Sequence, residues 1–280
     1  MPRRNGQGAI VTGASRGIGA AVAQRLASDG FNVVINYAGR PEEAEAQVGI
    51  IRQSGGTAVA VRADVSNPAE TRHLFDEAEK QFGDVDALVN NAGIMQLSTL
   101  ADADDALFDR HNAVNLKGVF NGMREAAKRM KSGGRIISFS SSVVGLYQPT
   151  YGIYAATKAG VEAMTLVLAN ELRGRNITAN VVAPGPTGTD LFLTGKSPEL
   201  VERLSKAAPL ERLGQPRGST LRALPPMASN SRMAVSRPSL EGVPLKGPDG
   251  ETVGAVGVSG GAVPQDLEIA EAAVAAFNAR

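Results

Sequence analysis

The sequence predicts an α/β fold, a doubly wound parallel sheet followed by an atypical C-terminal segment. Three observations predict it. From the N-terminus to about residue 190, short β-branched runs alternate with longer segments of helical period, the pattern of repeated βαβ units. A glycine-rich turn, Thr12-Gly13-Ala14-Ser15-Arg16-Gly17-Ile18-Gly19, joins the first such run to the first helical segment. After about Gln215 the alternation gives way to Pro216, Pro225, Pro226, Pro238, Pro244 and Pro248 among many Ser, Arg and Gly residues.

Taken in order, strands are expected at Ala9–Thr12, Asn32–Asn36, Thr57–Ala63, Ala87–Asn90, Arg135–Ser140 and Thr178–Ala183. Helices are expected near Gly17–Asp29, Glu42–Ser54, Pro68–Phe82, Asp104–Lys131 and Tyr151–Gly174, with a further one over Ser197–Ala207. Pro41 sits just ahead of the second helix and Pro68 opens the third, where a missing N–H costs little because first-turn donors have no helical partner. Asn67 is the expected N-cap of that third helix. In the helix from Tyr151, residues such as Ala155, Ala159, Ala163, Leu166, Val167 and Leu168 spread small or apolar side chains over more than one face, which predicts burial on two sides. One side would cover the sheet; the other suits a second copy of the chain, so a homodimer or homotetramer is expected.

Order is expected to return with a strand over Glu251–Val258 and a helix from Gln265 to Phe277, and no internal repeat is present. The chain therefore divides into a unit over residues 1–215 and a linker with a tail over 216–280.

Acidic and basic residues nearly cancel, at a formal charge of +1, so no global field gathers nucleic acid or an anionic membrane. The chain has no cysteine, which excludes disulfides, thiolate metal sites and a cysteine nucleophile, and only His73 and His111 as histidines. No metal site is expected. The N-terminus runs from Met1 into Gly8-Ala9-Ile10-Val11 without the apolar run of a signal peptide or membrane span. These features lead to the expectation of a soluble, cytoplasmic protein with no nucleic-acid or membrane partner.

Gly13, Gly17 and Gly19 place a tight turn beneath a helix N-terminus, where unpaired N–H groups and the helix dipole attract phosphate, as in a Rossmann-type dinucleotide site. Ser15 and Ile18 belong to the same turn. NAD-preferring sites of this kind carry an acidic residue about twenty positions on. Here that stretch reads Asn36-Tyr37-Ala38-Gly39-Arg40, without a carboxylate. Asn36 is taken as facing the cofactor, and Arg16 and Arg40 can meet a 2′-phosphate with charge-assisted hydrogen bonds, so NADP(H) is the expected cofactor. Asp64-Val65, ending the third strand, are candidates to hold the adenine.

Tyr154 and Lys158 lie one helical turn apart, where an ammonium can stabilise a phenolate and so lower the tyrosine pKa. The spacing alone is common. It gains meaning from the ordered set in which it stands: Thr12-Gly13-x-x-x-Gly17-x-Gly19, Asn90-Asn91-Ala92-Gly93, Asn115, Ser141, Tyr154-x-x-x-Lys158 and Pro184-Gly185. Over roughly residues 5 to 215 this set resembles the short-chain dehydrogenase/reductase family, most of all its 3-oxoacyl-acyl-carrier-protein reductase group.

The resemblance implies that Tyr154 is the general acid in carbonyl reduction and the general base in alcohol oxidation, while Lys158 lowers its pKa and binds the nicotinamide ribose. It implies that Ser141 hydrogen-bonds the substrate oxygen, and that Asn115 holds the fourth helix so that water links Lys158 to a proton relay. Aligning Val143-Val144-Gly145 would select Ser142 instead; the preceding Gly134-Arg135-Ile136-Ile137 and the separation of 13 from Tyr154 select Ser141. Asn91, Ala92 and Gly93, and the loop with Pro184, Gly185, Thr187 and Thr189, are implied to pass the nicotinamide. Asp190–Leu193 and Ser197–Ala207 take the place of a lid, and Tyr147, Tyr151, Met95 and Phe192 are candidate pocket residues.

The resemblance fails after Leu213-Gly214-Gln215-Pro216, where an acidic helix start, a seventh strand and a glycine pair would follow; Arg217-Gly218-Ser219-Thr220-Leu221-Arg222 stands there instead. The final part, with Gly254-Ala255-Val256-Gly257-Val258-Ser259-Gly260-Gly261, is similar to the C-terminal piece of the haem-binding HbpS/GlcG-like family. Lacking that family's N-terminal helices, the tail is expected to bind no haem. Thr252–Val258 is either the missing seventh strand or part of a tail outside the sheet. The expected function is an NADP(H)-dependent oxidoreductase acting on a ketone or secondary alcohol, 3-oxoacyl thioesters among the candidates; the alternative is a non-catalytic NADP(H)-binding sensor or scaffold.

Overall fold

The computed structural model describes residues 6–206, 211–219, 243–246 and 252–256. In chain order its first half comprises β1 (Gly8–Val11), α1 (Gly17–Ser28), β2 (Asn32–Tyr37), α2 (Pro41–Gln53), β3 (Thr57–Arg62), α3 (Pro68–Phe82), β4 (Val85–Asn90) and α4 (Asp105–His111). A π-helical stretch, Asn112–Lys117, leads into α5 (Gly118–Arg129). Then come β5 (Arg135–Phe139), α6 (Val143–Leu146), α7 (Gly152–Glu171), β6 (Thr178–Val182), α8 (Asp190–Leu193), α9 (Pro198–Lys206), a 3-10 turn at Pro216–Ser219, β7 (Val243–Lys246) and β8 (Thr252–Val256).

Six parallel strands form one sheet in the order β3-β2-β1-β4-β5-β6. Because side chains alternate along a strand, β1 sends Ala9 and Val11 to one face and Ile10 to the other. The first face packs Val22, Leu26, Val48 and Ile51 of α1 and α2. The second packs Leu74, Phe75, Met123, Val161 and Leu168 of α3, α5 and α7. Burial on both faces explains why these strands read as nearly unbroken apolar runs. The strand order reverses between β1 and β4, opening a crevice beyond their C-terminal ends, where the glycine turn begins.

Asn67 caps α3 as expected, accepting from the N–H groups of Ala69 and Glu70. The single helix expected over Asp104–Lys131 is instead α4 and α5 joined by the π-helical stretch. Its wider turn carries Asn115, whose amide is fully buried and bonded to the backbone of Ile94. The helix expected from Tyr151 buries its sheet face, while Leu166 and Val167 on its outer face are 46 % and 55 % exposed. Thr252–Val256 is a strand, yet it pairs antiparallel with Val243–Lys246 in a two-stranded sheet and is not a seventh strand of the main sheet. An antiparallel partner close in sequence needs only a short connection, whereas joining β6 in parallel requires a long crossover. The helix expected over Gln265–Phe277 lies outside the described residues. Among the described residues, no helix is long and apolar enough to cross a membrane.

Candidate active site

The floor of the crevice is built by backbones that touch. Gly13, at φ +62°, sits where a Cβ would lie 2.9 Å from Ala92 Cα, and a Cβ on Gly19 would lie 2.5 Å from both Asn91 Nδ2 and Gly13 O. Thr12 Oγ1 accepts from the N–H groups of Asn91 (2.9 Å) and Ala92 (3.0 Å), and Asn91 Nδ2 returns bonds to the carbonyls of Thr12 and Gly13. These contacts lock the end of β1 to the end of β4. Helix α1 then starts at Gly17 with Arg16 at the N-cap, no side-chain cap and no acid in its first turn. A cradle of this kind, with no Cβ over it and uncapped first-turn N–H groups above it, fits a pyrophosphate.

Asn36 is placed differently from expectation. It is buried under the turn, its Oδ1 accepts from Gly13 N–H (3.2 Å), and its Nδ2 donates to the carbonyls of Ala63 (3.0 Å) and Val61 (3.3 Å). Its amide therefore shapes the turn from beneath and does not face the crevice. Arg16 and Arg40 are exposed and paired, Arg16 Nη1 with Asp190 Oδ2 (3.2 Å) and Arg40 Nη1 with Glu43 Oε1 (2.7 Å). Asp64 is exposed after β3 and closes a local turn by accepting from Ser66 N–H. Val65 is buried beside Gly118, and its carbonyl accepts from Thr71 and Asn121.

On the opposite wall, Tyr154 and Lys158 of α7 are both buried. Of the three consecutive serines, Ser141 is the one whose hydroxyl stands close enough to the Tyr154 phenol to favour its ionised form. The Ser140 hydroxyl is engaged elsewhere, donating to Glu162 Oε1 (2.6 Å) with the carbonyl of Lys158 as a longer alternative acceptor (3.3 Å), and the N–H of Ser142 ties to Pro184 O. Asn115 accepts from Ile94 N–H (2.8 Å) and donates to Ile94 O (2.9 Å) and Thr157 Oγ1 (3.4 Å). It thus clamps the strand following Gly93 to the π-helical stretch. A Cβ on Gly93 would meet Asn115 Oδ1 at 3.2 Å and Lys158 Nζ at 3.6 Å.

The electrostatics correct one expectation. Burial pushes the Tyr154 phenol up to about 12, the nearby Ser141 hydroxyl opposing and neighbouring Tyr151 reinforcing it. Burial also brings Lys158 down to about 8. Lys158 Nζ donates to Phe139 O (2.9 Å) and lies 5.7 Å from the Tyr154 ring centroid, over the ring and not on the phenol oxygen. In this structure, then, desolvation of the phenolate outweighs any help from the ammonium, and the tyrosine is held as an acid.

Both walls open into one cleft of about 890 Å³, solvent at its mouth included, that runs from Ile18 past Asn91, Gly93, Ser141, Tyr154 and Lys158 to Pro184, Gly185, Thr187 and Thr189. Thr187 bridges to Gly214, and Thr189 caps α8 with its methyl near Gly17, so this loop meets the glycine turn. Met95, Tyr151 and Phe192 line the cleft as expected. Tyr147 does not: its backbone is left-handed (φ 49°) and its side chain is 83 % exposed. Sequence reasoning missed His111, which is fully buried edge-on to Tyr154 (6.5 Å between centroids), with Nδ1 on Leu107 O and Nε2 accepting from Gln96 N–H. Its one-turn spacing from Asn115 was the available signal. Among the described residues, no group of three or more His, Asp or Glu side chains is placed to hold a metal ion.

Comparison with known proteins agrees with this geometry. Residues 7–198 match the family model described as short chain dehydrogenase, and residues 211–275 match the model described as haem degrading protein HbpS-like. A short-chain type dehydrogenase/reductase of Picea abies is 49 % identical over 220 residues, covering 75 % of this chain and 81 % of the relative. An NADPH-dependent aldehyde reductase-like chloroplastic protein of Arabidopsis thaliana is 45 % identical over 75 % of this chain and 83 % of its own length. A 3-oxoacyl-[acyl-carrier-protein] reductase of Staphylococcus aureus is 43 % identical over 74 % and 85 %. Among solved structures, a short chain dehydrogenase from Burkholderia cenocepacia in complex with NADP superposes with a TM-score of 0.73 at 37 % identity, covering 78 % of this chain and 88 % of that one.

Proposed function

The chain belongs to the short chain dehydrogenase family, and we propose that within it the protein is an NADP(H)-dependent oxidoreductase working on a ketone or secondary alcohol, with Tyr154 as general acid and base. The observation that carries this reading is the buried Tyr154 phenol, which shares with Ser141 and Lys158 a cleft continuous with the glycine turn. NADP-bound neighbours and NADPH-dependent relatives support the choice of cofactor.

Gly13, Gly17 and Gly19 would hold the pyrophosphate, Arg16 and Arg40 the 2′-phosphate, and Asn91 to Gly93 with Pro184 to Thr189 the nicotinamide end. The cofactor, when bound, supplies or accepts the hydride. Tyr154, protonated throughout the neutral range, gives its proton to the carbonyl oxygen, and Ser141 donates a hydrogen bond to that oxygen as negative charge develops. Lys158 carries a proton below about pH 8 and stabilises the phenolate that results. The resting protonation state therefore suits reduction; oxidation requires the tyrosine to lose its proton first.

The test is NADPH consumption, followed by its absorbance, over a panel of aldehydes, ketones and 3-oxoacyl thioesters, classes that the named relatives place on the panel. Turnover with any member supports the reading. NADPH binding without turnover across the whole panel favours a sensor. Residues 1–215 are taken as the catalytic unit. Phe108 of α4, Phe120 of α5, and Leu166 and Val167 of α7 are exposed and suit contact with a second copy; a monomeric sedimentation profile at micromolar concentration would count against that.

A further inference from the structure

A carboxylate of the chain itself stands in the field of the two arginines assigned to the 2′-phosphate. Arg40 ends the connection between β2 and α2 with a left-handed backbone (φ 55°), and Glu43 follows in the first turn of α2. Their side chains meet at 2.7 Å through Arg40 Nη1 and Glu43 Oε1. The Arg40 hydrogen bond holds the Glu43 carboxyl below the usual carboxylate range; burial opposes it, and the charges of Arg40 and then Arg16 add to the lowering. Ser15 stands close enough to help, but Oε2 of Glu43 is enclosed and completes no hydrogen bond with any described residue. An acceptor is thus left unused beside the turn.

Glu43 occupies Arg40 Nη1 and places a negative charge beside the remaining guanidinium donors. A 2′-phosphate brings acceptor oxygens and nearly two negative charges, so it competes with Glu43 for Arg40 and is repelled by the carboxylate. A ribose 2′-hydroxyl is a donor and meets no such repulsion; once the Glu43 side chain turns outward, its carboxylate is the natural acceptor. The exposed Arg40–Glu43 pair is weak enough to open on binding. No acid stands at the end of β2, but Glu43 in the first turn of α2 opposes the arginines without cancelling them.

We infer that Glu43 sets the ratio of NADP(H) to NAD(H) affinity at this site, by competing with the 2′-phosphate for Arg40 and by accepting from the 2′-hydroxyl of NAD(H). This rests on the NADP(H) reading above. Dissociation constants for NADPH and NADH, measured by dihydronicotinamide fluorescence on the full chain, test it in wild type, Glu43→Gln and Glu43→Ala, each with and without Arg40→Ala. Removing the charge shifts the affinity ratio toward NADPH on the order of fivefold, the scale of one exposed ion pair. Glu43→Ala shifts it at least as far, because it also removes the acceptor, and the NADPH gain vanishes when Arg40 is alanine. A ratio unchanged in both variants, or equal tightening of both dinucleotides, overturns the role of Glu43. A wild-type chain that binds neither dinucleotide overturns the cofactor reading itself, and the inference with it.

Discussion

Replacing Lys158 with methionine should erase a gain in stability that the wild-type protein makes on going from about pH 7 to about pH 9.5. Lys158 is buried on α7 and its pKa falls from 10.5 to about 8. Below about pH 8 both folded and unfolded chains hold the proton, so the folded state carries the full cost of a buried ammonium. Above it only the unfolded chain stays charged, and stability rises until the unfolded lysine also titrates, near pH 10.5. At ~1.4 kcal/mol per pKa unit the full cost is about 3 kcal/mol, of which about 2 kcal/mol is recovered by about pH 9.5. Tyr154 works in the opposite sense: its folded pKa lies above the ordinary 10, so stability is lost as pH rises from 10 to about 12, which sets the upper end of the window. Methionine has similar length and no charge. Its absolute effect at neutral pH is a poor measure, because Phe139 O loses a donor at a cost of about 1–3 kcal/mol. The pH slope is free of that offset. Thermal or urea unfolding of both proteins across the window should show the wild type gaining about 2 kcal/mol on the variant, or about 4–8 °C in Tm. Parallel curves would refute the reasoning.

Tyr154→Phe should lower kcat by at least ~10²–10⁴-fold with NADPH binding retained, since it removes only the proton; substantial turnover by the variant would remove Tyr154 from the mechanism. Ser141→Ala should cost about 10²–10³ in kcat while Ser142→Ala leaves most activity, because Ser141 is the hydroxyl that stands beside the phenol; the reverse pattern would move the role to Ser142. Gly19→Ala drives a Cβ to 2.5 Å from Asn91 Nδ2 and Gly13 O, so stability should fall by about 1–3 kcal/mol and NADPH affinity with it. Unchanged NADPH titrations in that variant would show that the turn is not the cradle.

Much of the site was legible because its constraints are local. Gly13 and Gly19 announce a turn too tight for side chains, and Tyr154 and Lys158 share a face through helical spacing alone. Asn67 caps α3 through bonds that span two and three residues. Other features depend on contacts between distant segments. The π-helical stretch follows from no residue within it taken singly; it accompanies the clamp of Asn115 on Ile94, 21 residues away. Asn36 occupies a cofactor-like position in the sequence, but the approach of β3 draws its amide under the turn. Glu43 was overlooked because an acid in a first helical turn has an ordinary explanation in the helix dipole.

By itself, then, the sequence determined the alternating strands and helices, the glycine turn, the family and the pairing of Tyr154 with Lys158 on one helix face, all of which rest on periodicity and short spacings. The tertiary structure alone decided which serine stands beside Tyr154, which face of α7 is left exposed, that Thr252–Val256 pairs with Val243–Lys246, and that burial raises the Tyr154 pKa. The last point shows the physical reason. A pKa depends on how much water the fold removes from a group and on where the neighbouring charge comes to rest. Lys158 stands four residues from Tyr154 in the chain, but its ammonium turns to the carbonyl of Phe139, brought there by β5.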